Sequence, residues 1–184
     1  CIFLFLYWVF VLSSLIYLSL NNYYTMDVTT ILLLLLIGSI ATFFAGDKLA
    51  SKVALLFSLG ALVLSLNILY LYVNGSNVGI LHGWITLPKV SVALYADGLS
   101  LAMVLLTTIL TPLIIFSSFG TTVPQAKNFY ALVLFMVFAM VGTFLAADGL
   151  LYYIFWELAL IPIYFIALIW GNGDADKRKK AVLK

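Results

Sequence analysis

Residues 149 to 170 read Gly-Leu-Leu-Tyr-Tyr-Ile-Phe-Trp-Glu-Leu-Ala-Leu-Ile-Pro-Ile-Tyr-Phe-Ile-Ala-Leu-Ile-Trp, with Glu157 the only ionisable carboxylate or base among them. A helix needs roughly 20 apolar residues, at about 1.5 Å each, to cross a hydrocarbon core of about 30 Å. The stretch has that length, so it is read as a membrane span with a carboxylate near its middle. Such a carboxylate costs several kcal/mol unless it is protonated, hydrated or paired.

The rest of the chain agrees. Of the 184 residues, 65% are hydrophobic and 9% charged, against about half and a quarter in soluble domains. The apolar residues fall in long blocks, approximately 2–20, 28–46, 53–73, 97–119, 129–147 and 149–170. The expected fold is therefore all-α, a polytopic transmembrane helix bundle. A net charge of +2 with lysines at the ends of the spans gives no reason to expect nucleic acid as a partner. The single cysteine, Cys1, allows no disulfide within the chain, and no CxxC, GxGxxG or GxxxxGK[ST] is present, so thiolate-metal and nucleotide sites are not expected.

Residues 1–25 are read as an extra apolar segment, upstream of a start at Met26, with a true first helix as the alternative. They have no basic leader and no small-residue cleavage site, which argues against a signal peptide. Lys48, Lys52, Lys127 and the run Lys177-Arg178-Lys179-Lys180 fall on one side of the expected membrane, and Lys89 alone on the other. The positive-inside rule places the lysine-rich side in the cytoplasm. The 177–180 cluster also suits lipid head groups.

Several residues are candidates for chemistry. On a helix Tyr153, Glu157 and Tyr164 share a face, giving Glu157 a semi-polar stripe. Pro162 withholds the N–H that would bond the carbonyl of Leu158, and a helix break there opens a place for water or a second side chain. Glu157 is then a proton-relay or ion-coupling residue; the alternative is a structural glutamate that satisfies a neighbouring helix. Desolvation disfavours its ionised form and a lysine beside it restores that form; the expected partner is a lysine beyond residue 184. Asp97, in Asp97-Gly98-Leu99-Ser100, suits a helix N-cap. In the same span Pro112 frees the carbonyl of Thr108, beside the hydroxyls of Thr107, Thr108 and Thr111. Asp148 is expected to cap the Glu157 helix. His82 has no ligand-type neighbours in sequence and is not expected to bind metal. Lys184 is read either as an interfacial lysine that snorkels or as part of a buried polar chain.

Ala147-Asp148-Gly149-Leu150-Leu151-Tyr152-Tyr153-Ile154-Phe155-Trp156-Glu157-Leu158-Ala159-Leu160-Ile161-Pro162-Ile163-Tyr164-Phe165, followed by Trp170-Gly171, closely resembles the chain M family of the bacterial proton-translocating NADH–quinone oxidoreductase, respiratory complex I. Tyr95-Ala96-Asp97-Gly98-Leu99-Ser100, continuing to Leu110-Thr111-Pro112-Leu113, resembles an earlier signature of the same family. The resemblance covers about residues 26–184, read as the N-terminal transmembrane part of an antiporter-like proton-pumping subunit. It implies a fourteen-helix fold with two inverted five-helix repeats, of which this stretch holds the beginning. It also implies that Glu157 serves proton translocation with a lysine on a later helix; Pro162, Tyr153, Asp97, Pro112 and Lys184 are read beside it as candidate supporting residues. No cofactor is implied in this chain; NADH, FMN, iron–sulfur clusters and quinone are expected in partner subunits. The implied partners are the L- and N-type chains and membrane lipids, in a bacterial inner membrane in preference to a mitochondrial one. Subunits of multisubunit sodium/proton antiporters and of membrane-bound hydrogenases share parts of the pattern and stand as alternatives, as does a purely structural membrane subunit.

Overall fold

A computed structural model describes residues 28–75, 79–85, 90–121 and 123–171, with the side chains of 79–85 and 90–92 left aside. The expected first span, 2–20, and the basic run 177–180 with Lys184 lie outside the described residues.

Among the described residues, five helices and one hairpin follow in order. They are α1 (Thr29–Phe44), α2 (Asp47–Val73), β1 (Gly79–Ile85), β2 (Val90–Tyr95), α3 (Gly98–Ser117), α4 (Ala126–Leu145) and α5 (Gly149–Trp170). Among the described residues α2, α3, α4 and α5 are long and apolar enough to cross a membrane, and α1 is a shorter apolar helix of 16 residues. The chain is a multi-pass membrane protein. Large side chains such as Leu99, Leu106, Leu113 and Phe116 line the outer face of α3, a surface suited to acyl chains and costly in water.

α4 is the centre of the bundle, packing against α1, α2, α3 and α5. Its buried side includes Tyr130, Leu134, Val137, Val141 and Leu145. α2 buries Ala50, Ala54, Ser58, Ala61 and Ser65, at intervals of three and four residues. Small residues at that spacing let helix backbones approach closely where no hydrophobic force separates protein from lipid. Two bonds join helices through this interior. Ser39 Oγ of α1 donates to the carbonyl of Ala131 in α4 at 2.9 Å, and the hydroxyls of Ser65 and Thr108 meet at 2.9 Å between α2 and α3.

The two ends of the bundle differ. At one end the α1–α2 turn, the α3–α4 connection and the end of α5 converge. Gly46, with φ of 76°, makes the short turn into α2 in a conformation that side chains resist. The Lys127 amide donates to Asp47 Oδ1 at 3.0 Å, and Trp170 Nε1 donates to the Pro124 carbonyl at 2.7 Å. Lys48, Lys52 and Lys127 all lie at this end, as the alternation of loops predicts. At the other end the connection between α2 and α3 contains an antiparallel hairpin, Gly79 opposite Tyr95 and His82 opposite Val92. β2 then bridges to the α4–α5 turn: Leu94 pairs with Ala146, and the Ala147 amide donates to the Ala93 carbonyl at 2.8 Å.

Candidate functional site

α5 carries Glu157, and both ends of that helix are tied down. Asp148 is its N-cap, accepting from the Leu150 amide at 2.9 Å, as expected from the Asp-Gly turn. At the far end Trp170 holds the Pro124 carbonyl and meets the Phe129 ring edge-on at 5.3 Å. In between, α5 packs chiefly on α4. Phe155, Ala159 and Pro162 form its inner stripe at the helical spacing of four and three. Ala159 and Pro162 are buried, and the Phe155 ring fills the space beside Gly142 of α4. It also meets the Phe138 ring edge-on at 5.7 Å.

Glu157 follows Phe155 by two residues, a rotation of about 200° around the helix axis, and so lies on the outward face. It is exposed in the described chain, as are Tyr153, Leu160 and Tyr164. The semi-polar stripe expected from the sequence therefore exists, and it points away from α1–α4. Glu157 stands about 12 Å along a helix about 33 Å long. Tyr153, one turn earlier on the same face, has its hydroxyl near the carboxylate. The Tyr153 ring in turn lies 6.2 Å from that of Trp156.

The break expected at Pro162 does not occur: α5 is continuous from Gly149 to Trp170. The proline still cannot bond the Leu158 carbonyl, but its ring is buried on the α4-facing side, where packing holds the flanking turns in helical form. α3 likewise runs unbroken through Pro112. The hydroxyls of Thr107, Thr108 and Thr111 bond the carbonyls of Met103, Val104 and Thr107, each one turn back. Pro112 is thus part of a packed helix interior between α2 and α3.

Asp97 is the N-cap of α3. Its Oδ1 accepts from the Ser100 amide at 2.7 Å while the Asp97 amide donates to Ser100 Oγ at 2.8 Å, a reciprocal capping box. The Ser100 amide, with the Ser100 hydroxyl second, holds the Asp97 carboxyl below its ordinary value. Asp97 sits at the hairpin end on a helix packed against α2 and α4, away from mid-span Glu157. Of the six candidates, the structure brings Tyr153 to Glu157 and puts Pro162 on the opposite side of the same helix. Asp97 and Pro112 lie on another helix, and Lys184 falls outside the described residues. Sequence reasoning missed Gly142 and Phe155, which set how α5 is turned; a glycine in α4 facing an aromatic of the adjoining span was the available signal.

No family model matches the chain. F420H2 dehydrogenase subunit M of Methanosarcina mazei is 34% identical over 157 residues, which is 81% of this chain and 31% of that protein. An NAD(P)H-quinone oxidoreductase chain 4 of Trichodesmium erythraeum is 33% identical over 85% of this chain and 28% of its own length. NADH-quinone oxidoreductase subunit M of Escherichia coli is 34% identical over 53% of the chain and 19% of its own length. The chain thus spans less than a third of the length of these relatives. In fold it resembles a chain of the membrane-bound sulfane sulfur reductase, an archaeal respiratory membrane complex, with TM-score 0.72 at 17% identity over 85% of this chain and 33% of that one.

Proposed function

We propose, starting from the homology of this chain to the M-type (chain 4) subunits of respiratory membrane complexes, that it belongs to the membrane arm of an NADH–quinone oxidoreductase and there couples electron transfer to proton translocation. The relatives and the fold neighbour are named for different electron donors or acceptors: F420H2, NAD(P)H, quinone and sulfane sulfur. A membrane part common to them is best read as the proton-handling part, with NADH, FMN, iron–sulfur clusters and quinone handled by other subunits. The lysine-bearing end of the bundle faces the cytoplasm by the positive-inside rule, in a bacterial inner membrane.

The observation that carries this reading is the outward position of Glu157 on α5. A carboxylate facing acyl chains at mid-span is too costly to persist. The face must be covered by protein, with water or a cation against the carboxylate. The relatives are more than three times longer than the matched region, and a lysine-bearing helix from that remainder is the natural cover. A change in that neighbouring charge alters the energy of the ionised carboxylate by an amount set by the local dielectric. About 1.4 kcal/mol changes its protonation ratio tenfold, so a modest displacement loads or releases a proton.

The test uses the whole complex in inverted membrane vesicles, with quinone reduction and proton uptake measured together. Glu157→Gln keeps the volume of the side chain and removes its titration. We expect assembled complex with proton uptake per quinone greatly reduced. Full uptake in that variant would overturn the role of Glu157.

A further inference from the structure

At the lysine-bearing end the α3–α4 connection and the start of α4 stand beside the first two turns of α2 and leave a pocket between them. α2 lines it with Asp47, Lys48, Ser51 and Lys52, and the facing side includes Thr121 and Ala126. We infer that this pocket binds a phosphate group, carried either by an anionic phospholipid head group or by a soluble phosphate. The inference does not depend on the role of Glu157.

Three observations support it. First, the α2 wall gathers donors that the rest of the chain does not use. Lys48, Ser51 and Lys52 are three and four residues apart and so share one face of the helix. Among the described residues neither ammonium has an ion-pair partner, and the Ser51 hydroxyl has no hydrogen bond. On the facing wall the Thr121 hydroxyl is already engaged, donating to the Ser118 carbonyl at 2.7 Å. Second, the two cations stand where a helix disfavours them. α2 begins at Asp47, so Lys48 lies in its first turn, where a positive charge opposes the helix dipole. Like charges four residues apart repel as well. A phosphate between the two ammoniums reverses both effects. Asp47 is the one acid of the lining, and its Oδ1 accepts from the Lys127 amide of α4 at 3.0 Å, so the two lysines outweigh it.

Third, the pocket lies at the ends of membrane-spanning helices, the level of lipid phosphates. Its apolar lining includes Phe119, whose ring is 5.7 Å from that of Phe116 on the exposed face of α3. A head group seated among the lysines therefore has an acyl-facing surface beside it, and basic pockets between membrane helices are recurrent head-group sites. The positive-inside rule alone accounts for lysines at this end, but it applies equally to Lys127, which is outside the lining and whose Nζ lies over the Phe43 ring. Lys127 thus separates a site from a general excess of positive charge.

The test is acetylation of lysines in the intact complex, held in phosphatidylcholine nanodiscs and read residue by residue by mass spectrometry. One arm adds phosphatidylglycerol to the bilayer and the other adds inorganic phosphate to the solution. The expected result is slower acetylation of Lys48 and Lys52, with Lys127 changed much less. Protection by phosphatidylglycerol alone identifies a lipid head group, protection by inorganic phosphate alone a soluble ligand, and protection by both a site for the phosphate itself. Lys48→Gln should weaken the protection of Lys52 by about fivefold, the effect of one lysine at an anionic head group. Ser51→Phe fills the pocket from α2 and should abolish the difference between Lys52 and Lys127. Ala126→Leu does the same from the facing wall if the first variant does not assemble. Equal slowing of Lys48, Lys52 and Lys127 would reveal a surface potential without a site, and no slowing in either arm would show that the pocket takes no phosphate. Either result would overturn the proposal.

Discussion

The Phe155 ring of α5 occupies the place where a side chain on Gly142 of α4 would stand. Because α5 packs chiefly on α4, this pair sets the rotation of the helix that carries Glu157. Gly142→Val should therefore push the two helices apart, at a cost of about 1–3 kcal/mol for overpacking. The measurement is the thermal midpoint of the assembled complex, with proton uptake per quinone alongside. Phe155→Ala in the same chain should recover much of both losses, since it vacates the volume the valine needs. A Gly142→Val complex as stable and as well coupled as the parent would show that the contact does not govern α5.

Ser65 and Thr108 join α2 to α3 through hydroxyls 2.9 Å apart in a buried interface. Each also has a carbonyl of its own helix, Leu62 for Ser65 and Val104 for Thr108. Loss of one partner therefore leaves the other hydroxyl bonded. A double-mutant cycle of Ser65→Ala and Thr108→Val should give a coupling of about 0.6 kcal/mol, not more than roughly 1.7. The cycle is read from the stability of the complex in denaturant, and a zero coupling would assign the pair to packing alone.

Asp97 makes a pH prediction with a definite sign. Its carboxyl is held below the ordinary value of 3.8 by the bonds from Ser100. A carboxyl depressed in the folded state stabilises it above the unfolded value, and the contribution is lost as pH falls through the folded value. Protection of the Ser100 amide against hydrogen exchange should hold down to about pH 4 and decline below it, relative to neighbouring α3 amides. In Asp97→Asn that relative decline should disappear. Persistence of the same acid limb in the asparagine variant would place its origin elsewhere.

The long helices were legible because a span declares itself by length and hydropathy, which need no tertiary information. The caps were legible for a similar reason: Asp97 and Asp148 act on amides two or three residues away. The hairpin was less so. Val90-Ser91-Val92-Ala93-Leu94-Tyr95 has a partial two-residue alternation, but its pairing partner Gly79–Ile85 is glycine-rich, and the bond from Ala147 to Ala93 depends on a turn over fifty residues away. The prolines misled in a specific way. Loss of one N–H weakens a helix locally, yet Pro162 and Pro112 are both buried, and the packing that restores helical continuity is visible only in three dimensions. The direction in which Glu157 points was also not readable, because large apolar residues surround α5 on all its other sides and the inner side is chosen by a glycine on another helix.

Tyr153 supplies the last prediction. Its hydroxyl stands near the Glu157 carboxylate, one turn earlier on the same exposed face. Tyr153→Phe removes the hydroxyl and leaves the ring beside Trp156. A hydrogen bond from that hydroxyl to a charged group would contribute roughly 1.5 kcal/mol or somewhat more, so proton uptake should slow by about tenfold or somewhat more, with quinone reduction less affected. The combination with Glu157→Gln distinguishes this from a general loss of packing. If Tyr153 acts through the carboxylate, the double variant should be no worse than Glu157→Gln alone, because residues that share one interaction do not add. Strictly additive losses would mean that Tyr153 contributes by another route, and that Glu157 finds its hydrogen bonds on whatever covers the outward face of α5.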